Sequence, residues 1–259
     1  MPTPEPAPAS LTIVLPAYNE AARIGPALDE LFAYLNTRPV AALPSLVDVL
    51  VVDDGSSDGT AAIARARPEA VEPGSPGPVL RVMTVPHGGK GAAVRAGMLA
   101  ATADLIVFAD ADMATPPGEL PKLVAALAGA DVALGSRIQP DGTDMRATQP
   151  RYRRALGALF HLFASIWVVG DVKDTQCGFK GFTREAAHDL FAGQQVTSIV
   201  FDVELIHVAR RRGYRLAVVP IQWSDVRGSR LRPGPRIALR VAWDLFRIPL
   251  LHRRVRRRR

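Results

Sequence analysis

Cysteine is nearly absent from this chain. Cys177 stands alone, so no intrachain disulfide can form and a bridge-stapled scaffold is excluded. A membrane-spanning run is missing too. The stretch "ALGALFHLFASIWVVG" (155–170) has sixteen residues without a charge, short of the ~20 that cross a bilayer; it reads as a buried or membrane-grazing helix. The opening "MPTPEPAPAS" has neither the basic start nor the apolar run of a signal peptide, and residues 1–10 read as a disordered lead. Lysine is missing from the far end: 227–259 holds twelve arginines, no lysine and one acid, Asp244, a net of +11. The whole chain carries +7, so the preceding 226 residues carry −4. The basicity therefore belongs to the tail, and it suits a polyanion, either nucleic acid or an anionic membrane surface. No nucleic-acid recognition motif accompanies the arginines, so nucleic acid is set aside.

What is present is an ordinary globular composition, 48% hydrophobic and 22% charged over 259 residues, enough for one large core. The first 135 residues alternate β-like and helical patterns. Strands are expected at 11–16, 47–54, 79–86, 105–109 and 131–137. Helices are expected at Glu20–Asn36, 58–66, 90–101 and Glu119–Ala128. The strands are almost wholly apolar, which predicts an α/β fold whose mostly parallel sheet is covered by helices on both faces. Further on, "FDVELIHVARRRGY" predicts a helix ending near Gly213, and "RLAVVPIQW" a strand. "PRIALRVAWDLFRIPLL" predicts a C-terminal amphipathic helix stopped by Pro249, with Arg236, Arg240, Asp244 and Arg247 as a polar stripe.

Ligands in such sheets bind beyond the carboxyl ends of the strands, and the polar residues gather there. "FADADMATPP" ends an apolar strand in Asp110 and Asp112, two carboxylates one residue apart. Like charges aimed at one point need a cation or proton between them; the pair is either a solvated turn or a set of hard oxygen ligands at a strand end that suits Mg²⁺ or Mn²⁺. Asp53 and Asp54 end another strand before "GSSDGT", where Ser57 and Thr60 read as helix caps. "HGGKGAAVRAG" is a glycine-rich helix entry carrying Lys90 and Gly91; it matches neither a P-loop nor a dinucleotide fingerprint, and is either a phosphate cradle or a plain helix start. His87 is either a surface imidazole or a substrate contact. Cys177, with no histidine placed near it in sequence, reads as a packing residue.

Taken together, "IVLPAYNEAARI", "VVDDGSSDGT", "GKGAAVRAGM", "FADADMATPP", "LGSR", "DTQCGFKGF" and "FDVELIHVARRRGYRLAVVPIQW" occur in the order seen in family-2 glycosyltransferases of the GT-A fold. They most resemble the polyprenyl/dolichyl-phosphate sugar synthases, and "DTQCGFKGF" leans toward the dolichyl-phosphate glucose synthase branch. The resemblance covers about 11–230, the expected catalytic domain, leaving 231–259 as a basic, membrane-associating appendage.

It implies an inverting enzyme that moves a hexose from a nucleotide sugar to a polyprenyl phosphate lipid. UDP-glucose is the expected donor and GDP-mannose the alternative. The other alternative is a hydroxyl acceptor, a cell-wall glycan or a small metabolite. By resemblance, Pro16, Tyr18, Glu20, Asp53, Asp54, Lys90, Gly91, Asp110 and Ala111 meet the nucleotide sugar, with Asp53 reading the base. Asp110 and Asp112 hold Mg²⁺ or Mn²⁺. The mannose branch has Gln two residues after the second Asp; Ala114 stands there in this chain, so a further ligand is left to water or another side chain. Arg137, Arg151, Arg154, Lys180, Arg227 and Arg230 are expected around the acceptor or diphosphate. Asp112, Asp174 and Arg137 are the candidate catalytic residues. A lipid phosphate, with a second pKa of about 6, arrives as a nucleophile. A hydroxyl needs a carboxylate base, for which Asp174, Asp202 and Glu204 are the candidates; each is equally readable as an organiser of the site. The expected place of work is the cytoplasmic side of the cell membrane, with the enzyme held peripherally.

Overall fold

The computed structural model describes residues 8–71, 75, 77–145, 172–224 and 235–258. Each expected strand forms: β1 (Ser10–Ala17), β2 (Leu46–Asp53), β3 (Val79–Thr84), β4 (Leu105–Ala109), β5 (Val132–Ser136) and, after β6 (Phe179–Thr183), β7 (Leu216–Pro220). They make one seven-stranded sheet in the order β3-β2-β1-β4-β6-β5-β7. β1 runs parallel to β2 and β4, β2 to β3, and β5 to β7. β6, which the sequence pattern did not announce, is antiparallel to both β4 and β5.

The helices are α1 (Ala21–Thr37), α2 (Thr60–Arg65), α3 (Lys90–Ala100), α4 (Leu120–Leu127), α5 (Arg184–Ala192), α6 (Phe201–Arg212) and α7 (Pro235–Leu251). Alternate strand residues explain the two-sided burial. Val14, Leu50, Val52 and Phe108 face a core built with Val94 and Met98 of α3, Leu190 and Phe191 of α5, and Phe201 of α6. Ile13, Leu15, Val49, Val51 and Val107 face the opposite core, with Leu28 and Leu31 of α1 and Leu123 of α4. Phe108 centres an aromatic cluster with Phe182, Phe191 and Phe201, ring centroids 5.9–6.4 Å away. α3 lies close on the sheet because residue 97 is glycine: a Cβ there would stand 2.4 Å from Val14.

The C-terminal helix departs from the expected layout in two ways. It runs through Pro249 to Leu251, because a proline in the last turn disturbs little of the helix beyond it. The expected polar stripe also divides. Arg240 is exposed, but Asp244 is buried, accepting from the Ser198 hydroxyl at 2.6 Å and pairing with Arg247 at 2.8 Å. Leu245 and Ile248 enter the core beside it, and His252, just past the helix, pairs with buried Glu204 at 2.6 Å. The chain then turns back over the domain. Arg258 donates its backbone N–H to the Arg212 carbonyl, and its guanidinium lies 4.3 Å above the Tyr214 ring.

Candidate active site

The carboxyl ends of β1, β2 and β4 form one rim at the point where the strand order reverses across β1. After β1 the chain turns through Asn19, whose positive φ of 54° suits asparagine. The turn is clamped from the next loop. Asn19 N–H donates to Ser56 Oγ, Ser57 N–H to Asn19 Oδ1, Glu20 N–H to Thr60 Oγ1 and Ala21 N–H to Asp58, all at 2.8–3.0 Å. This corrects the reading of Ser57 and Thr60 as caps. α2 starts from Gly59 without a side-chain cap, and the "GSSDGT" side chains chiefly hold the β1–α1 turn in place.

Asp53 and Asp54 divide their tasks. The Asp54 carboxylate accepts the N–H groups of Gly88 and Gly89 at 2.8 and 3.0 Å and pairs with His87 Nδ1 at 2.9 Å. It therefore fixes the glycine-rich turn before α3. Asp53 is also buried, yet its Oδ1 has no hydrogen-bond partner among the described residues. Such an orphan costs about 1–3 kcal/mol, or more for a charged group. The Tyr18 and His87 rings stack at 4.2 Å on the same rim, with Tyr18 largely exposed.

At the head of α3, Gly91 N–H donates to the Thr197 carbonyl, which leaves no room for a side chain: a Cβ at 91 would lie 2.8 Å from that oxygen. Lys90 reaches Asp110 Oδ1 at 2.5 Å. Burial opposes its charge, but Asp110, Asp202 and Asp112 outweigh that and hold the ammonium above the ordinary lysine range. Asp112 goes the other way. Burial and the neighbouring Asp110 charge push its carboxyl up, against Arg23 and Lys90. Arg23, which sequence reasoning missed, forks onto Glu20 with two 2.6 Å bonds. Its spacing of three from Glu20 gave the only signal, and that spacing usually means a surface pair. Gly178 is small for the same site: a Cβ there would fall 2.1 Å from the Asp110 carboxylate. Pro16 is half-buried at the end of β1, and Ala111 and Ala114 are buried beside the aspartates. Ala114 contributes backbone alone, donating to Asp112 and accepting from Ser224.

On the other half of the sheet, Arg137 follows β5 and grips Asp174 with Nε at 2.8 Å and Nη2 at 2.6 Å, while its backbone N–H donates to the same carboxylate. Its pKa is driven up by Asp174 against the penalty of burial. Trp223 lies 5.6 Å from the guanidinium. Asp174 is thus the anchor of its loop. Glu204 accepts the N–H groups of Gln195 and Val196 as well as His252. Asp202 accepts from Lys180 at 2.7 Å, and burial pushes its carboxyl up against the pull of Lys180 and Lys90.

Lys180, expected near the acceptor or diphosphate, is wholly buried on β6, donating to Asp202 at 2.7 Å and to the Cys177 carbonyl at 2.5 Å. Burial also drives the Cys177 thiol up to about 12, consistent with a packing residue. Arg151, Arg154, Arg227 and Arg230, and the run 155–170, lie outside the described residues.

The residues present fit a divalent cation as a shared ligand set. Asp110 and Asp112 offer hard oxygens whose mutual repulsion a cation relieves, and Lys90 already supplies one positive charge there. Among the described residues no three His, Cys, Asp or Glu side chains gather as a metal site, so other ligands are left for a substrate's phosphates and water.

The chain belongs to glycosyl transferase family 2, whose model matches residues 12–191, and it is a glycosyltransferase. A dolichyl-phosphate beta-glucosyltransferase (ALG5C) of Trichomonas vaginalis is 39% identical, over 93% of this chain and 71% of that protein. The dolichyl-phosphate beta-glucosyltransferase of Drosophila melanogaster is 36% identical over 92% and 74%, and that of Homo sapiens 35% over 86% and 70%. Among solved structures, glucosyl-3-phosphoglycerate synthase of Mycobacterium tuberculosis with UDP shares the fold, at a TM-score of 0.62 and 21% identity over 94% of this chain and 80% of that one. The same enzyme with Mn²⁺, UDP and glucosyl-3-phosphoglycerate gives 0.61 at 22% identity, over 93% and 79%.

Proposed function

We propose that this chain is an inverting glucosyltransferase that moves glucose from UDP-glucose to a polyprenyl (dolichyl-type) phosphate at the cytoplasmic face of a membrane. The observation that carries the choice of acceptor is the state of the candidate bases. Asp174 is locked by the Arg137 fork, Asp202 by Lys180, and Glu204 by two backbone N–H groups and His252. A hydroxyl acceptor needs a free, positioned base, and none of these three is free. A phosphate is already an anionic nucleophile at neutral pH. The relatives' names point to the same acceptor and sugar.

On the donor side, the orphaned Asp53 Oδ1 suits the single imide N–H of uracil, and the stacked Tyr18 and His87 rings lie on the same rim. Guanine would bring two adjacent N–H donors to that one open acceptor, which is why UDP is preferred to GDP. The glycine-rich turn held by Asp54, with Lys90 and Gly91 at its end, orients the diphosphate. Asp110 and Asp112 would hold Mg²⁺ or Mn²⁺, whose charge offsets that developing on the departing UDP. Lys90 and Arg23 add fixed positive charge beside those carboxylates. Arg137 uses Nε and Nη2 on Asp174, leaving Nη1 for the acceptor phosphate; Arg151, Arg154, Arg227 and Arg230 are assigned to the same acceptor side.

The test is to supply purified protein with Mg²⁺ or Mn²⁺, a panel of sugar nucleotides and polyprenyl phosphate, and to weigh the lipid products by mass spectrometry. A hexosyl-phospholipid from UDP-glucose is expected. Its absence with every donor, alongside transfer to a soluble hydroxyl compound, overturns the reading.

A further inference from the structure

α7 buries its acid and leaves part of its apolar surface outside. Its acid, Asp244, points inward to Ser198 and Arg247, and Leu245, Ile248 and His252 are buried with it. Its outward side shows Leu239 (72% exposed), Trp243 (61%), Phe246 (46%) and Leu250 (53%). Their spacing of four, three and four places them on one helical face, and the Trp243 and Phe246 rings stack at 6.2 Å. Arg240 on the helix and Arg253, Arg254, Arg256 and Arg257 just beyond it are exposed and form no ion pair among the described residues. A soluble surface does not ordinarily present an apolar ridge in a segment so rich in exposed cations.

We propose that this face is the membrane-contact surface, with the ridge Leu239-Trp243-Phe246-Leu250 lying among the headgroups and upper acyl chains of an anionic leaflet and the arginines on its phosphates. The proposal rests on the reading of a membrane-borne acceptor and names the surface that reaches the membrane. Charge selects the occupant. The segment 227–259 carries +11, so a second copy seated on the ridge would bring like charge against like, whereas an anionic bilayer is complementary. Trp243 adds an indole, the side chain suited to the headgroup level. No helix among the described residues is long and apolar enough to cross a membrane, so α7 lies along the surface. Its seat also touches the donor side: Ser198, which holds Asp244, follows Thr197, whose carbonyl receives the Gly91 N–H.

The experiment is flotation of the full chain with phosphatidylcholine vesicles, with and without phosphatidylglycerol, for the wild type and for W243S/F246S/L250S. These positions are exposed, and circular dichroism melts check that the variant folds. The wild type is expected to float with anionic vesicles in a salt-sensitive manner, and the variant to lose about tenfold or more of that binding. Its transfer to a short, water-soluble polyprenyl phosphate is expected to stay unchanged. In R253Q/R254Q/R256Q/R257Q the preference for phosphatidylglycerol is expected to fall. Equal binding by the wild type and the ridge variant overturns the proposal, as does a wild type that binds neither vesicle. A dimer by light scattering that W243S/F246S/L250S dissociates, with no vesicle binding, would assign the ridge to self-association and overturn it too. Vesicle binding without any lipid product would instead defeat the acceptor reading and leave this surface standing.

Discussion

The donor rim and the C-terminal helix handle charge in opposite ways. At the rim, charged groups are matched inside the chain: Lys90 with Asp110, Lys180 with Asp202, Arg137 with Asp174, Arg23 with Glu20. Asp53, with one buried oxygen lacking a partner among the described residues, and Asp112, pushed up by burial and Asp110, are the exceptions. Along α7 the acid is hidden and paired with Arg247, Arg240 stands exposed with no ion pair among the described residues, and Leu239, Trp243, Phe246 and Leu250 face out. In the functions proposed above, the rim takes one small, charged cargo and the helix meets an extended surface. Matched charges fix geometry, and unmatched ones recruit a partner.

That contrast can be broken most sharply at Lys180. If it serves the fold, Lys180→Met leaves Asp202 buried and unpaired and costs about 3–5 kcal/mol, read as a fall in thermal midpoint. A variant that keeps its stability and loses only acceptor affinity would return Lys180 to a phosphate role. Asp112→Asn is the next largest. Transfer should drop about 100- to 1000-fold, while the midpoint holds or rises, since Asp112 is repelled by Asp110 rather than paired. Loss of stability in step with activity would contradict the assignment.

Asp53 and Asp54 sharpen the contrast within a single strand end. Asp54→Asn sets an amide N–H₂ against one of the two donors, the Gly88 or the Gly89 N–H, costing about 2 kcal/mol of stability. Asp53→Asn should leave the melt unchanged and raise the donor KM about tenfold with kcat nearly constant, the pattern of lost uniform binding. Equal effects from both would erase the division of labour. The smallest effect concerns Cys177. With its thiol raised to about 12 by burial, alkylation at pH 8 should be negligible in the folded protein and appear only on unfolding. Rapid labelling of native protein would show an accessible, reactive site instead.

Much of the rim was legible in the sequence, because apolar runs ending in Asp53-Asp54 and Asp110-Ala111-Asp112 announce both strand and site. β6 was not. "GFKGF" carries two glycines and a lysine, which weaken any strand pattern, and its antiparallel place between β4 and β5 is set by tertiary pairing. The burial of Lys180 was hidden for the same reason: its partner Asp202 is distant in sequence. The orientation of α7 was hidden because apolar residues occur all round the helix. Among the described residues, Ser198 and Glu204, elsewhere in the chain, hold Asp244 and the neighbouring His252 inward.

The central claim is that the acceptor brings its own nucleophilic charge, so the chain needs no free base. It is tested most directly by offering UDP-glucose with two lipids of equal chain length, a polyprenyl phosphate and the corresponding polyprenol, and measuring glucosylated product from each. The account predicts product from the phosphate alone. Comparable transfer to the alcohol would require a base that the locked carboxylates of Asp174, Asp202 and Glu204 do not supply, and would contradict it.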